Sequence, residues 1–204
     1  MKKVTKQDHK LDLRIESLTD LVFGLALSIG ALLLASTSVT TPSAFVGNIL
    51  SYAFGFLILV FVWFRYTLIE SALKFSTRSI ILLNILLLFF VSIEPYLFNI
   101  LKSPISSDAI INISSSIYAF DMGSIMIILG ILTYIVIKQK VITKKLNHYK
   151  QQILANFIIG VIFFISILPF FWSFEVYGIK GRFFIWLVSF PIIYIIFRIS
   201  NNRR

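Results

Sequence analysis

The residues able to do chemistry in this chain are few and oddly placed. Arg14, Glu16 and Asp20 stand at the mouth of the run "RIESLTDLVFGLALSIGALLLAST", whose remainder carries no charge. Ser28 lies deeper in the same run. Asn84, Glu94, Asp121 and Asn156 are set singly into other apolar blocks. There is no cysteine, so disulfides, thiolate catalysis and cysteine-held metals are excluded. His9 and His148 fall in basic polar segments and read as solvated surface residues. Hydrolases and transferases of the membrane need His, Asp or Glu clusters at helical spacing, or a Ser–His pair. No histidine or cysteine falls inside an apolar block, so an enzyme is not expected and neither a cofactor nor a metal is implied. What remains is the chemistry of isolated charges and hydroxyl oxygens.

The elements that must position these groups follow from composition. The chain has 204 residues, of which 58% are hydrophobic and only 14% charged, whereas soluble domains carry about a quarter charged. The apolar excess lies in six blocks, roughly 18–37, 44–64, 79–101, 115–137, 152–172 and 183–199. Each can cross a hydrocarbon layer about 30 Å thick as a helix. Backbone groups in lipid must be bonded within the segment, and the ten-residue alternation of barrel strands is absent. The expected fold is therefore an all-α membrane protein with six transmembrane helices, residues 1–204 forming one domain. Lys and Arg cluster at the N-terminus (Lys2 to Arg14), between the second and third spans (Arg65, Lys74, Arg78), between the fourth and fifth (Lys138 to Lys150) and at the C-terminus (Arg198, Arg203, Arg204). The other side has only Lys102, Lys180 and Arg182. By the positive-inside rule both termini face the cytoplasm and the chain sits multi-pass in the cell membrane. The net charge of +10 is accounted for by this asymmetry. Without a folded basic domain it does not point to nucleic acid. The lipid bilayer is the partner it implies.

The first span carries a periodic signal. With Leu25 as reference and about 100° per residue, Leu18, Leu21, Ser28, Ile29, Leu32 and Ser36 fall within about 60° of it. A second face holds Ser17, Asp20, Gly24, Ala31 and Ala35, small residues that let a neighbouring backbone come close. The helix therefore reads as packed by other helices. The plain alternative is an ordinary interior helix of a bundle. An acid inside a span is costly and usually has a partner. Arg14 is six residues before Asp20, too far round for a stacked pair, so the partners of both are expected on neighbouring helices or another subunit. The alternative for Asp20 is a snorkelling interface residue.

"RIESLTD" resembles the Arg-x-x-x-Phe-Ser-Asp signature that opens the first helix of the transmembrane protein 175 family, the endolysosomal potassium channel and its prokaryotic relatives. Arg14 and Asp20 match, with Leu18 in the Phe place and Thr19 in the Ser place. The second span ends "FVWFRYTLIE", placing Trp63 where the family carries a tryptophan. The third contains "LLNILLLFFVSIEPY", similar to the family's Asn-Leu-Leu…Phe…Leu-Pro run, with Asn84 and Pro95 in matching places. One departure is Thr67, where the family usually has a histidine. The resemblance implies a homotetramer whose four first helices line a central pore for potassium ions. It places an apolar constriction on Leu25, a further ring on Leu32 and a selectivity layer on Ser28. Arg14, Thr19, Asp20, Trp63 and Asn84 would form a structural motif at the inner end.

No Thr-Val-Gly-Tyr-Gly filter exists here; "EVYGIKG" at 175–181 shares only a Tyr-Gly. Selectivity would then come from a hydroxyl field and a leucine ring that gates by dewetting. Glu94 and Asp121 read either as a cation-attracting vestibule or as interfacial acids near water or paired with Lys102 or Lys180. Asn84 reads as a buried hydrogen-bonding residue, with Trp63 and Asp20 as candidate neighbours. The function expected is a passive, potassium-permeable cation channel. A secondary transporter is the alternative, since Pro169 and Pro191 fall within spans five and six, although inverted repeats are not evident. A structural membrane subunit without transport is the third reading.

Overall fold

The computed structural model describes residues 6–36, 41–73, 77–101, 107–139, 146–176, 179–187 and 191. The chain divides into two compact units, residues 1–106 and 107–204.

The first unit is three helices, α1 (Lys6–Ala35), α2 (Pro42–Glu70) and α3 (Arg78–Leu101). Each is long and apolar enough to cross a membrane. They extend past the expected spans because hydropathy marks only the lipid-depth portion, while helical hydrogen bonding continues into the polar flanks; α1 begins twelve residues before its apolar block. α2 opens on Thr41, whose Oγ1 accepts the Ala44 amide at 3.2 Å, with Pro42 at the first helical position, where its missing N–H costs nothing. Pro95 lies inside α3 and does not end it. α1 packs on α3 and α2 through Ile15, Thr19, Phe23 and Ala26, all buried. Gly55 admits Phe98: a Cβ there would stand 3.1 Å from the ring.

The small-residue face of α1 is not the face used inside the unit. Gly24, Ala31 and Ala35 are exposed, and nothing lies within 4 Å of a Cβ built on Gly24. The buried face is a third one, opposite the small residues.

The second unit contains α4 (Asp108–Lys138) and α5 (Leu146–Ser166), again of membrane-crossing length and composition. α4 takes up the "SDAIINISSS" stretch and is capped by Ser107, whose Oγ accepts the Ile110 amide at 3.3 Å. The two helices meet through glycines, as small residues permit in membranes. A Cβ on Gly160 would lie 3.1 Å from the Gly123 carbonyl and 2.8 Å from Ile127. The expected fifth span, 152–172, is cut short. α5 ends at Ser166 because Pro169 can neither donate to the ladder nor sit beneath the preceding carbonyls. A single turn, α6 (Phe170–Ser173), follows, then a two-stranded antiparallel hairpin, β1 (Glu175–Val176) and β2 (Ile179–Lys180). The tyrosine and glycine of "EVYGIKG" lie outside the described residues. Residues 181–187 are helical, and most of the expected sixth span, 183–199, lies outside the described residues.

Arg182 anchors this end of the unit. It is 1% exposed, which its place in a connecting segment does not suggest. Its Nε and Nη2 donate to the Ser166 and Ile167 carbonyls at 2.8 and 3.1 Å. Its Nη1 donates to Asn112 O and Oδ1 and to Ser115 Oγ at 2.9, 3.0 and 2.6 Å. Carbonyls at a helix C-terminus lack intrahelical donors; the guanidinium supplies them for α5 and ties that end to α4. Its neighbour Lys180 pairs with Glu175 at 2.6 Å and Asp108 at 3.7 Å. These carboxylates, Glu175 first, raise the Lys180 ammonium above its ordinary value. The raised ammonium therefore contributes to the fold at pH below the lysine range, and that contribution is lost as pH rises through it.

Candidate functional site

Two features of the first unit meet on α1. One is buried and polar, at the end where α1 bears Thr19 and Asp20. The other is the exposed stripe further along the same helix.

The buried cluster is built from all three helices. The Asn84 amide nitrogen of α3 donates to Thr19 Oγ1 at 3.3 Å, and the Thr19 hydroxyl donates to the Ile15 carbonyl at 2.9 Å. The Tyr66 hydroxyl of α2 lies 2.6 Å from Asn84 Oδ1, 3.1 Å from Glu70 Oε1 and 3.5 Å from Thr19 Oγ1. Phe23 covers the Tyr66 ring at 6.1 Å between centroids. Thr19 and Tyr66 are 0% exposed, so these hydrogen bonds replace water fully. Beside the cluster the Trp63 indole donates to Asp20 Oδ1 at 3.2 Å.

The structure thus brings together Thr19, Asp20, Trp63 and Asn84. Asp20 finds a neighbouring helix, as expected of a span acid. Asn84 is buried, as expected, but its partners are Thr19 and Tyr66 rather than Trp63 and Asp20. Arg14 is exposed and makes no hydrogen bond or ion pair among the described residues. Thr67 faces away, its hydroxyl donating to the Trp63 carbonyl at 3.0 Å. Tyr66 and Glu70 complete the cluster and were not singled out from the sequence. Their signal was spacing: Val62, Tyr66, Ile69 and Glu70 fall on one helical face and are all buried.

The stripe is exposed along the described length of α1. Leu25 is 52% and Leu32 69% exposed, and Leu18, Leu21 and Ile29 share the face. Ser28, between the two leucines, donates its hydroxyl to the Gly24 carbonyl at 2.8 Å. With the hydrogen turned onto the helix, the lone pairs of the oxygen are left to face outward, the polarity a cation requires.

Of the other embedded polar residues, Glu94 is 1% and Asp121 2% exposed. Neither is an interfacial acid at the surface of the chain. Lys180 pairs with Glu175 and Asp108, and Lys102 lies outside the described residues. Glu94 lines a cavity of about 30 Å³ with Gly30, Tyr52, Pro95 and Asn99. Among the described residues no group of three or more His, Cys, Asp or Glu is placed to hold a metal.

The described residues thus form apolar helices of membrane-crossing length, with a buried polar cluster and an exposed stripe on two faces of α1. Residues 14–95, which span the cluster and the stripe, match the family model described as the endosomal/lysosomal potassium channel TMEM175. Two solved structures share the fold over nearly the whole chain. One is a variant of the potassium channel MtTMEM175 in complex with a nanobody–MBP fusion protein, at 19% identity and TM-score 0.64, covering 93% of each chain. The other is a lysosomal potassium-selective channel TMEM175 homolog from Chamaesiphon minutus, at 17% identity and TM-score 0.64, covering 94% of this chain and 99% of that one. No curated protein matches the chain.

Proposed function

We propose that the protein is a potassium-permeable cation channel in which four copies of α1 surround a central pore, each subunit crossing the cell membrane six times with both termini cytoplasmic. Flux is passive and needs no cofactor. The observation that carries the reading is the division of α1 into three faces. One is buried against α2 and α3 (Ile15, Thr19, Phe23, Ala26). One is small and open (Gly24, Ala31, Ala35). One is the exposed stripe of Leu25, Ser28 and Leu32. A helix fixed from behind, with a small face for a neighbouring copy and a remaining face of leucines around one hydroxyl, suits a pore wall. Leu25 and Leu32 then form apolar constrictions and Ser28 a weak oxygen layer between them. Arg14, Thr19, Asp20, Trp63 and Asn84 hold the inner end. The orientation is supported by the positive-inside asymmetry.

Flux into liposomes under potassium, sodium and caesium gradients tests the reading. A channel gives uncoupled flux that follows each gradient, with potassium ahead. Flux that appears only when a second solute is supplied indicates a coupled transporter, and no flux indicates a structural subunit.

A further inference from the structure

One cation of the first unit is neither exposed nor paired. Arg65, five residues before the end of α2, is 7% exposed. Its Nη2 is enclosed by protein and meets no acceptor among the described residues, and no carboxylate among them forms an ion pair with it. What the guanidinium does meet is the ring of Phe61, one turn back on the same helix, with 5.3 Å from its carbon to the ring centre. A cation–π contact is a modest attraction and leaves the planar fork of donors unused. An arginine this near the end of a membrane helix ordinarily runs its head out to water. Arg65 instead lies back over Phe61, and the cost of burying its charge is not offset by any of the described residues.

The helical period shows which side of α2 carries it. With Arg65 as reference, Phe61 and Leu68 fall within about 60° of it, and both are exposed, at 36% and 38%. Trp63, whose indole holds Asp20, is about 160° round, and Glu70, bonded to Tyr66, about 140°. Asp20 and Glu70 are thus engaged on the far side of α2. Phe61, Trp63 and Phe64 are exposed where the apolar block 44–64 ends. Aromatic side chains mark the level at which hydrocarbon gives way to headgroups, and Arg65 is the next residue. Arg78, the first residue of α3, is exposed at the same end, because α2 and α3 run antiparallel, with Tyr66 bonded to Asn84 and Gly55 against Phe98.

We propose that Arg65 binds the phosphate of an anionic phospholipid in the leaflet that meets this end of α2. A guanidinium fork matches two phosphate oxygens with parallel N–H···O bonds, which supplies both the charge and the acceptors that the buried head needs. The cover over it is a single side chain: Phe61 is itself exposed, and its ring turns aside to admit the phosphate while the acyl chains lie along Leu57 and Leu68, also exposed. A glycerol headgroup suits the site better than choline, whose ammonium competes with Arg65 for the same phosphate. Arg78 adds to the general attraction of this end for anionic lipid without forming part of the site. The bound lipid braces α2 between Trp63 and Tyr66, the residues through which it holds Asp20 and Asn84.

The test uses the full-length protein in mild detergent, with phosphatidylglycerol or phosphatidylcholine of the same acyl chains added in matched amounts. Native mass spectrometry reads the lipid retained, and thermal unfolding reads its effect. The wild type should hold one phosphatidylglycerol per chain about tenfold more strongly than phosphatidylcholine, the scale of a hydrogen bond to a charged group, and should unfold at a higher temperature with it. Arg65→Gln should lose both the preference and the thermal shift. Arg65→Lys keeps the charge without the fork, so it should retain part of the preference, and it takes the place of Arg65→Gln if that variant does not fold. Arg78→Gln should keep most of the preference. Equal retention of the two lipids by the wild type overturns the proposal. So does an equal loss in Arg65→Gln and Arg78→Gln, which would mean diffuse attraction rather than a site. Inorganic phosphate that gives the wild type the full thermal shift would show a site for the free anion instead of a lipid. A change in the number of copies per particle in either Arg65 variant, with lipid retention as in the wild type, would assign the guanidinium to a carboxylate of a second copy and remove the lipid.

Discussion

At the scale of single residues, the two groups of α1 respond differently to truncation. Asn84→Ala leaves the buried Thr19 and Tyr66 oxygens short of a partner, costing about 1–3 kcal/mol for each buried group left unsatisfied. Asp20→Asn keeps an oxygen for the Trp63 indole at a partly exposed site and should cost well under about 1 kcal/mol. Thermal unfolding in detergent should therefore rank Asn84→Ala clearly below Asp20→Asn; the reverse order would show that the cluster is held from Asp20. The stripe should respond in function rather than stability. Leu25→Ala removes apolar surface from an exposed position, at about 0.8 kcal/mol per CH₂ in hydration terms. It should raise flux and let sodium pass more nearly like potassium. Ser28→Ala should leave the neck intact and weaken the preference for potassium. If both variants match the wild type in the same liposome assay, α1 does not line the pathway.

At the scale of elements, the second unit depends on close approach and on one cation. Gly160→Ala puts a methyl against the Gly123 carbonyl, which is backbone and cannot turn aside, and should cost about 1–3 kcal/mol. Arg182→Lys cannot serve the Ser166 and Ile167 carbonyls together with Asn112 and Ser115, since an ammonium has three donors on a single atom. Its unfolding midpoint should fall, and a midpoint equal to wild type would show that water caps α5 instead. Helix existence was legible in the sequence because apolar blocks report burial in lipid directly; Asp20 and Asn84 were legible because polar groups at lipid depth are costly enough to need a reason, and Trp63 only through the family resemblance at the end of the second span. The stop at Ser166 was signalled by Pro169, but hydropathy does not register a proline between apolar residues. Arg182 was invisible: its partners are carbonyls and small side chains from segments about 15 and 70 positions away, which no local pattern displays. Tyr66 and Glu70 were overlooked for a related reason, since a tyrosine and a glutamate at the end of a span read equally well as interfacial residues.

For the whole molecule, the proposed assembly would place a neighbouring copy against the small face of α1. Inside the first unit Gly24 meets nothing within 4 Å, while Thr19, Phe23 and Ala26 on the buried face hold the helix against α2 and α3. A large side chain at Gly24 therefore has room in the isolated chain. It would project from the face on which a neighbouring copy of α1 has to approach if four first helices surround a pore. Membrane helices associate by packing rather than by the hydrophobic effect, so a leucine there removes the close approach and gains little from being covered, lipid being equally apolar. Gly24→Leu should accordingly leave helix content and the unfolding of the Asn84 cluster near wild type, while mass measurement in mild detergent shifts from four copies toward fewer and potassium flux falls with the loss. Gly160→Ala should do the opposite, lowering stability through a contact within one chain. The pair separates assembly from folding. A Gly24→Leu protein that remains tetrameric and conducts normally would mean that the small face of α1 is lipid-facing and that subunits meet elsewhere; a wild-type protein that is monomeric would remove the central pore altogether, since a single Leu25 cannot encircle an ion.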